Sequence, residues 1–281
     1  YCTEGQGARC YDCYRPGRRF PQLQRALYHL RPRVIRTNLR PLDRVVVLSE
    51  RCAQIIAEHG IPKDKIRVIY QSYPVAETAP PDPADVDAET VLFAGWLVPA
   101  KGLHVALEAM GQVVSVRHSA RLLVLGMGGS EPWYAELLEG ILAGHNLRPF
   151  VTFAGKLPRT EFLAHLRRAA VVVVPEQWEN MSPVIVVEAM AHGKPVVASQ
   201  VGGIPEFVRD GETGWLAEPD HPGQFAAGIL KVLNDPAGAL RMGIRARERA
   251  LELFDRPVAG RKLLELYQEC LDLREARHDW C

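Results

Sequence analysis

The stretch that decides the fold is Val171–Gly214, VVVVPEQWENMSPVIVVEAMAHGKPVVASQVGGIPEFVRDGETG. It reads as two parallel strands joined by a helix. Val171 to Val174 is a continuous β-branched run stopped by Pro175, the pattern of a strand covered on both faces. Ser182 stands before Pro183, an N-cap hydroxyl followed by a residue whose missing N–H costs nothing at the first helical position, so a helix is predicted from Pro183. It runs to His192 and stops at Gly193, and a strand over Pro195 to Ser199 leads to Gly202 and Gly203.

Glu188 breaks the pattern of this helix. A carboxylate in the middle of VIVVEAMA must find hydrogen-bond donors or lose its charge. The helix start at Ser182 to Val184 offers unpaired N–H groups and a positive dipole end, a site suited to phosphate. An anion site at one end and a hydroxyl-seeking carboxylate further along suggest a nucleotide. Two other readings of Glu188 stand beside this one, an internal arginine partner and an exposed polar stripe.

Outward from this stretch the alternation of strand and helix is regular. Strands are predicted at Val91–Ala94, Arg121–Leu125, Phe150–Phe153, Val171–Val174, Pro195–Ala198 and Gly214–Leu216. Helices are predicted at Leu103–Val116, Pro132–Ala143, Arg159–Arg168, Pro183–His192 and Ile204–Arg209. This alternation implies a doubly wound parallel sheet, whose ligands bind beyond the carboxyl ends of the strands. The loops after Ala94, Leu125, Phe153 and Val174 therefore matter most. Lys101 sits in the first of them. Gly126-Met127-Gly128-Gly129 in the second fails the dinucleotide fingerprint, because the last glycine of that motif would fall on Glu131. Hydrolase, metalloprotease and P-loop signatures are absent.

Upstream, Arg44–Ser49, Glu50–His59 and Ile66–Tyr70 read as a β-α-β unit. Thr78–Glu89, with Pro80, Pro81 and Pro83 among acids, reads as an interdomain linker. Downstream, Pro222–Leu233, Pro236–Phe254 and Pro257–Arg274 read as helices. The chain has 281 residues, 47% hydrophobic and 24% charged, with a formal net charge of +1. That is a globular composition with no global attraction for nucleic acid. No apolar run reaches the length of a membrane span. Arg15–Arg44 contains nine arginines, with Phe20, Leu23, Leu27 and Leu30 at helical spacing. It fits either a domain helix with solvated arginines or a basic helix in peripheral contact with an anionic membrane. Cys2, Cys10 and Cys13 form a weak zinc candidate, one ligand short of a tetrahedral site.

The succession FAGWLVPAKG, LLVLGMGG, VTFAGKLP, VVVVPEQWEN, SPVIVVEAMAHGKPVVAS and GGIPEFVRDGETGWL, followed by a helical end, resembles the nucleotide-sugar-dependent glycosyltransferases of family 4, which have GT-B architecture. The resemblance implies an α/β chain of two Rossmann-like doubly wound domains. The expected divisions are 1–78 for a partial, N-terminally truncated acceptor-side domain, 79–89 for the linker, 90–254 for the nucleotide-sugar domain and 255–281 for a crossover helix and tail. It also implies a cytoplasmic enzyme, or one at the membrane periphery, that moves a sugar from a UDP- or GDP-sugar to an acceptor with retention and without a metal or cofactor.

By position, the resemblance makes Glu188 the ribose-binding acid and Lys101 the diphosphate contact. It places Gly95 and the stretch Met181, Ser182, Pro183 and Val184 against phosphate and sugar, and Gly155, Lys156 and Leu157 beside the base. Asn180 falls where the family carries its first glutamate, with Glu179 one place back, so Asn180, Glu179 and Lys101 are the catalytic candidates. Trp96 replaces the family's arginine. These departures leave open a non-catalytic nucleotide-sugar-binding subunit, or an epimerase or phosphorylase of the same architecture.

Overall fold

The computed structural model describes residues 41–128 and 131–278, with Leu30, 33–34 and 37–39 ahead of them. Cys2, Cys10 and Cys13 and most of the arginine-rich stretch lie outside the described residues. Among the described residues no cluster of His, Cys, Asp and Glu is arranged to hold a metal ion, and no helix is long and apolar enough to cross a membrane.

The chain forms two compact units. The first takes in the chain up to Ile69 and again from Lys262, and the second is Tyr70–Arg261. In the first, β1 (Val45–Val47), α1 (Glu50–Glu58) and β2 (Ile66–Val68) make a β-α-β unit in which Val45 pairs with Ile66 in parallel. Ser49 caps α1 by accepting from the Cys52 N–H at 3.1 Å. Glu269, from the chain's last helix, accepts from Arg44 at 2.7 Å and from Arg67 Nε at 3.1 Å. These hydrogen bonds, Arg44's foremost, hold its carboxyl down at about 2.

The second unit contains β3 (Asp87–Ala94), α2 (Leu103–Val116), β4 (Arg121–Leu125), α3 (Pro132–Gly144), β5 (Val151–Gly155), α4 (Arg159–Arg168) and β6 (Ala169–Val174). It continues through α5 (Val184–Ala191), β7 (Val196–Ser199), α6 (Ile204–Phe207), β8 (Gly214–Ala217), α7 (Pro222–Asn234) and α8 (Pro236–Phe254), and ends in the first residues of α9 (Arg256–His278). The six strands are all parallel in the order β5-β4-β3-β6-β7-β8. This is the doubly wound order, and its direction reverses between β3 and β6. Every residue of β6 is buried, as its unbroken apolar run requires. Side chains alternate between two layers. Val91, Phe93, Val171 and Val173 pack with α2, α3 and α7, while Leu92, Val172 and Val174 pack with α4, α5 and α8.

The structure differs from the sequence reading in two places that bear on function. Pro183 has extended backbone, φ −66° and ψ 114°, so it is the cap of α5 and the helix begins at Val184, one residue later than predicted. Ser182 does not cap the helix. Its Oγ is buried without a hydrogen-bond partner among the described residues, because the loop is drawn aside by Asn180, whose carbonyl accepts from the Gly203 N–H at 3.0 Å. The proline-rich stretch, in turn, is not a free linker. Thr78 Oγ1 donates to the Ala191 carbonyl at 3.0 Å, and Arg247 in α8 donates to the Thr78 carbonyl at 2.8 Å. Asp87 already pairs with Ala169 as the first residue of β3. The two units therefore part at Ile69 and Tyr70, ahead of the prolines, and again at Arg261 and Lys262.

His192, at the end of α5, is buried with Tyr73 against its ring, and burial together with Arg167 pushes its imidazole down to about 4. A histidine kept neutral in the folded state supports stability above its unfolded value of about 6.5, and that support fades as pH falls towards the folded value. Thermal melts should therefore show a loss of about 3 kcal/mol between neutral pH and about pH 4 that is smaller in His192→Gln. A variant as acid-sensitive as the native chain would contradict this assignment.

Candidate functional site

The carboxyl ends of β3 and β6 lie side by side where the strand order reverses, and such a reversal leaves a crevice between the two following loops. The loop after β3 turns through Pro99–Lys101 to Gly102, which adopts φ +72°. A Cβ at Gly102 would fall on the Pro175 carbonyl, so only glycine allows the two loops to approach so closely. Gln177, after β6, donates its N–H to the Ala100 carbonyl at 2.8 Å. The two loops are thereby joined at the rim of a cleft of about 780 Å³.

One wall of the cleft is built around an acid. Glu176 directly follows Pro175 and is almost completely buried. Its Oε1 accepts from Lys101 Nζ at 2.6 Å and from Asn180 Nδ2 at 3.0 Å, and its Oε2 accepts from Trp178 Nε1. The Lys101 ammonium also lies 5.6 Å from the centre of the Trp178 ring. A carboxylate this deep requires such partners, and they fix the positions of Lys101 and Asn180. Asn180 Oδ1 accepts from the Ser182 N–H at 3.3 Å. Glu179 turns the other way and accepts from the Gly202 N–H at 3.1 Å.

The floor is the start of α5. Its first N–H groups, at Val184 and Ile185, have no acceptor within the helix and carry the positive end of its dipole. The unpartnered Ser182 Oγ lies beside them. One turn further, Glu188 is buried and ion-paired through Oε1 with Arg159, the first residue of α4. Burial holds the Glu188 carboxyl above its ordinary value, and the Arg159 guanidinium offsets only part of that push. Gly95, Lys156 and Leu157 line the same cleft, with the solvent-exposed Trp96 at its edge and Gly155 at the end of β5.

Of the residues singled out from sequence, Gly95, Lys101, Gly155, Lys156, Leu157, Asn180, Ser182, Pro183, Val184 and Glu188 line this single cleft, whereas Met181 and Glu179 do not. Sequence reasoning missed Glu176; it offered an internal arginine partner for Glu188, which the structure supplies, without identifying it as Arg159. Glu176 is a charge immediately after an all-apolar central strand, a position that faces either the crevice or the core. Arg159 opens a helix, where the dipole disfavours a cation and where an arginine needs another reason to be.

A family model described as Glycosyl transferases group 1 matches residues 76–249. D-inositol 3-phosphate glycosyltransferase of Acidothermus cellulolyticus is 31% identical over 244 residues, covering 82% of this chain and 54% of that protein. Glycogen synthase of Mycobacterium tuberculosis is 32% identical over 177 residues, covering 63% of this chain and 42% of that protein. The chain thus spans about half the length of the curated relatives it matches. Among solved structures, sucrose-phosphate synthase from Thermosynechococcus elongatus superposes with a TM-score of 0.73 at 28% identity, covering 93% of this chain and 65% of that one. Anabaena Alr3699/HepE in complex with UDP and glucose gives 0.76 at 21% identity, covering 84% and 66%, a likeness of fold.

Removing one member of a buried ionic network leaves its partners uncompensated. Glu176→Ala should lower stability by about 2–4 kcal/mol in denaturant unfolding, the lower end reflecting the partial exposure of Lys101. A loss below about 1 kcal/mol would mean that the network contributes little.

Proposed function

This chain belongs to the glycosyl transferases group 1 family, and on that premise we propose that its cleft between β3 and β6 holds a nucleoside diphosphate sugar and serves transfer of the sugar to an acceptor. The observation that carries the reading is the pairing, within one cleft, of a helix start bearing unsatisfied donors with a buried carboxylate one turn along. The nucleotide is UDP or GDP. The reaction is retaining, as in family 4, and the complete protein acts with the second unit as its donor-binding half.

Each residue has a distinct role in this reading. The N–H groups of Val184 and Ile185 and the Ser182 hydroxyl receive the diphosphate, whose charge suits the dipole end. Glu188 accepts from the ribose hydroxyls, and Gly155, Lys156 and Leu157 border the base. Asn180 both donates and accepts, so it can engage a sugar hydroxyl without the charge a glutamate would bring. Lys101 meets the negative charge that develops on the departing diphosphate, the point at which a fixed cation contributes most.

A second reading is favoured by one observation. With Trp96 in the arginine position and Lys101 already paired to Glu176, the phosphate end has little uncompensated positive charge, which suits a subunit that binds nucleotide sugar without turning it over. Transfer of sugar to an acceptor by the complete protein separates the two readings.

Binding is testable before the acceptor is known. Ligand at about 100 times its dissociation constant stabilises a protein by roughly 2.7 kcal/mol, so melting with UDP, GDP and their sugars should reveal a matching nucleotide. Glu188→Ala should lose that gain for every nucleotide. Lys101→Ala should weaken diphosphates more than nucleosides, and an equal loss for both would argue against its phosphate role.

A further inference from the structure

We infer that Arg159 is a positioning residue for the donor: braced by Tyr73 and Phe162, it pairs with the buried Glu188 carboxylate and turns that anion towards the cleft. The inference rests on the proposed reading of Glu188 as the ribose ligand.

Arg159 is poorly placed for the stability of its own helix, since a cation at a helix N-terminus opposes the dipole. Its side chain is 52% exposed, yet it is held from several sides. Nη2 donates to the Tyr73 hydroxyl at 2.9 Å, the guanidinium lies 5.3 Å from the centre of the Phe162 ring, and Nη1 meets Glu188 Oε1. A solvated arginine gains little from one surface pair, whereas one braced in this way is pre-organised for the carboxylate. Arg159, Phe162 and Glu188 all line the cleft.

The pair determines the chemical form of the ribose ligand. A carboxylate accepts stronger hydrogen bonds than a neutral carboxyl group, and burial in an apolar helix favours the neutral form. Among the described residues, Lys101, which is paired with Glu176, and the exposed Lys156 line the same cleft as Glu188, and further charged or titratable groups come from the elements around α5. Arg159 comes from α4, Tyr73 from the segment before β3, His192 from the next turn of α5, and Arg247 from α8, which packs along α5. Tyr73 is pushed up by burial and stays a neutral phenol, and His192 stays a neutral imidazole, so neither supplies compensating charge near neutral pH. Arg247 is committed to the Thr78 and Ala191 carbonyls. Arg159, ion-paired directly with Glu188, is therefore the cation that favours its ionised form while a ribose is bound.

The test is the pH dependence of nucleotide-sugar binding, measured with UDP-glucose and, in parallel, GDP-mannose, whose diphosphate diesters do not titrate near neutrality. The native chain should bind with nearly constant affinity from about neutral pH to about pH 8.5 and lose affinity only modestly towards about pH 5.5, since Arg159 offsets part of the upward push of burial on Glu188. Arg159→Gln should approach native affinity at the alkaline end and weaken by about tenfold towards the acid end, as Glu188 takes up a proton. Arg159→Lys, which keeps the charge, should restore most of the native profile. Glu188→Gln should bind weakly at every pH.

If Arg159→Gln parallels the native profile while Glu188→Gln is weak, the positioning role is overturned and the ribose reading stands. If Glu188→Gln binds as the native chain does, the ribose reading fails and takes this inference with it. Should Arg159→Gln fail to fold, Tyr73→Phe removes the brace alone and should shift the profile in the same direction by a smaller amount. A Tyr73→Phe profile superimposable on the native one would overturn the inference.

Discussion

The second unit depends on the parallel pairing of β3 with β6. Val91 opposite Val171 and Phe93 opposite Val173 bring together two strands that are distant in sequence and buried on both faces. Because the remaining strands add outwards in opposite directions from this pair, their following loops diverge and leave a crevice. The cleft thus follows from sheet topology, and the loop residues decide only its chemistry. Gly102, pressed against Pro175, shows how closely the two loops meet there.

Within the crevice the governing constraint is that buried carboxylates require partners. Glu176 and Glu188 meet it in different ways. Glu176 is satisfied entirely from its own surroundings by Lys101, Trp178 and Asn180, which makes it a scaffold for those side chains. Glu188 is met by a half-exposed arginine on a neighbouring helix, an arrangement compatible with a ligand at the same carboxylate. A pair of acids in one sequence stretch therefore divides into one that holds the site together and one that faces its contents.

Much of the fold was legible because period and punctuation agree with burial. The β-branched run at Val171–Val174 is a central strand, extended in the structure to Ala169, and Gly193 ends α5 in the left-handed region. The cleft was legible from Glu188, an acid in an otherwise apolar helix. What was not legible depends on long-range contacts. Ser182-Pro183 has the local signature of a cap, but Asn180 and the Gly202–Gly203 turn draw the loop elsewhere. The prolines at 80, 81 and 83 look like a linker until Arg247 and Ala191 are seen to anchor Thr78. The partners of Lys101 and Glu188 come from residues 75 and 29 positions away, beyond any local pattern.

The internal pairing of the cleft's cations bears on how an anionic ligand arrives. Lys101 and Arg159 are each already matched by a carboxylate, which leaves the exposed Lys156 as the cleft-lining lysine or arginine with no carboxylate partner among the described residues. Electrostatic steering, which accelerates association and fades with added salt, would act at this cleft chiefly through Lys156. A single lysine gives only modest steering, so encounter with an anion would vary modestly with ionic strength. Discrimination among phosphorylated ligands would fall to the short-range hydrogen bonds formed after arrival at the α5 terminus, and so to residence time more than to rate of capture.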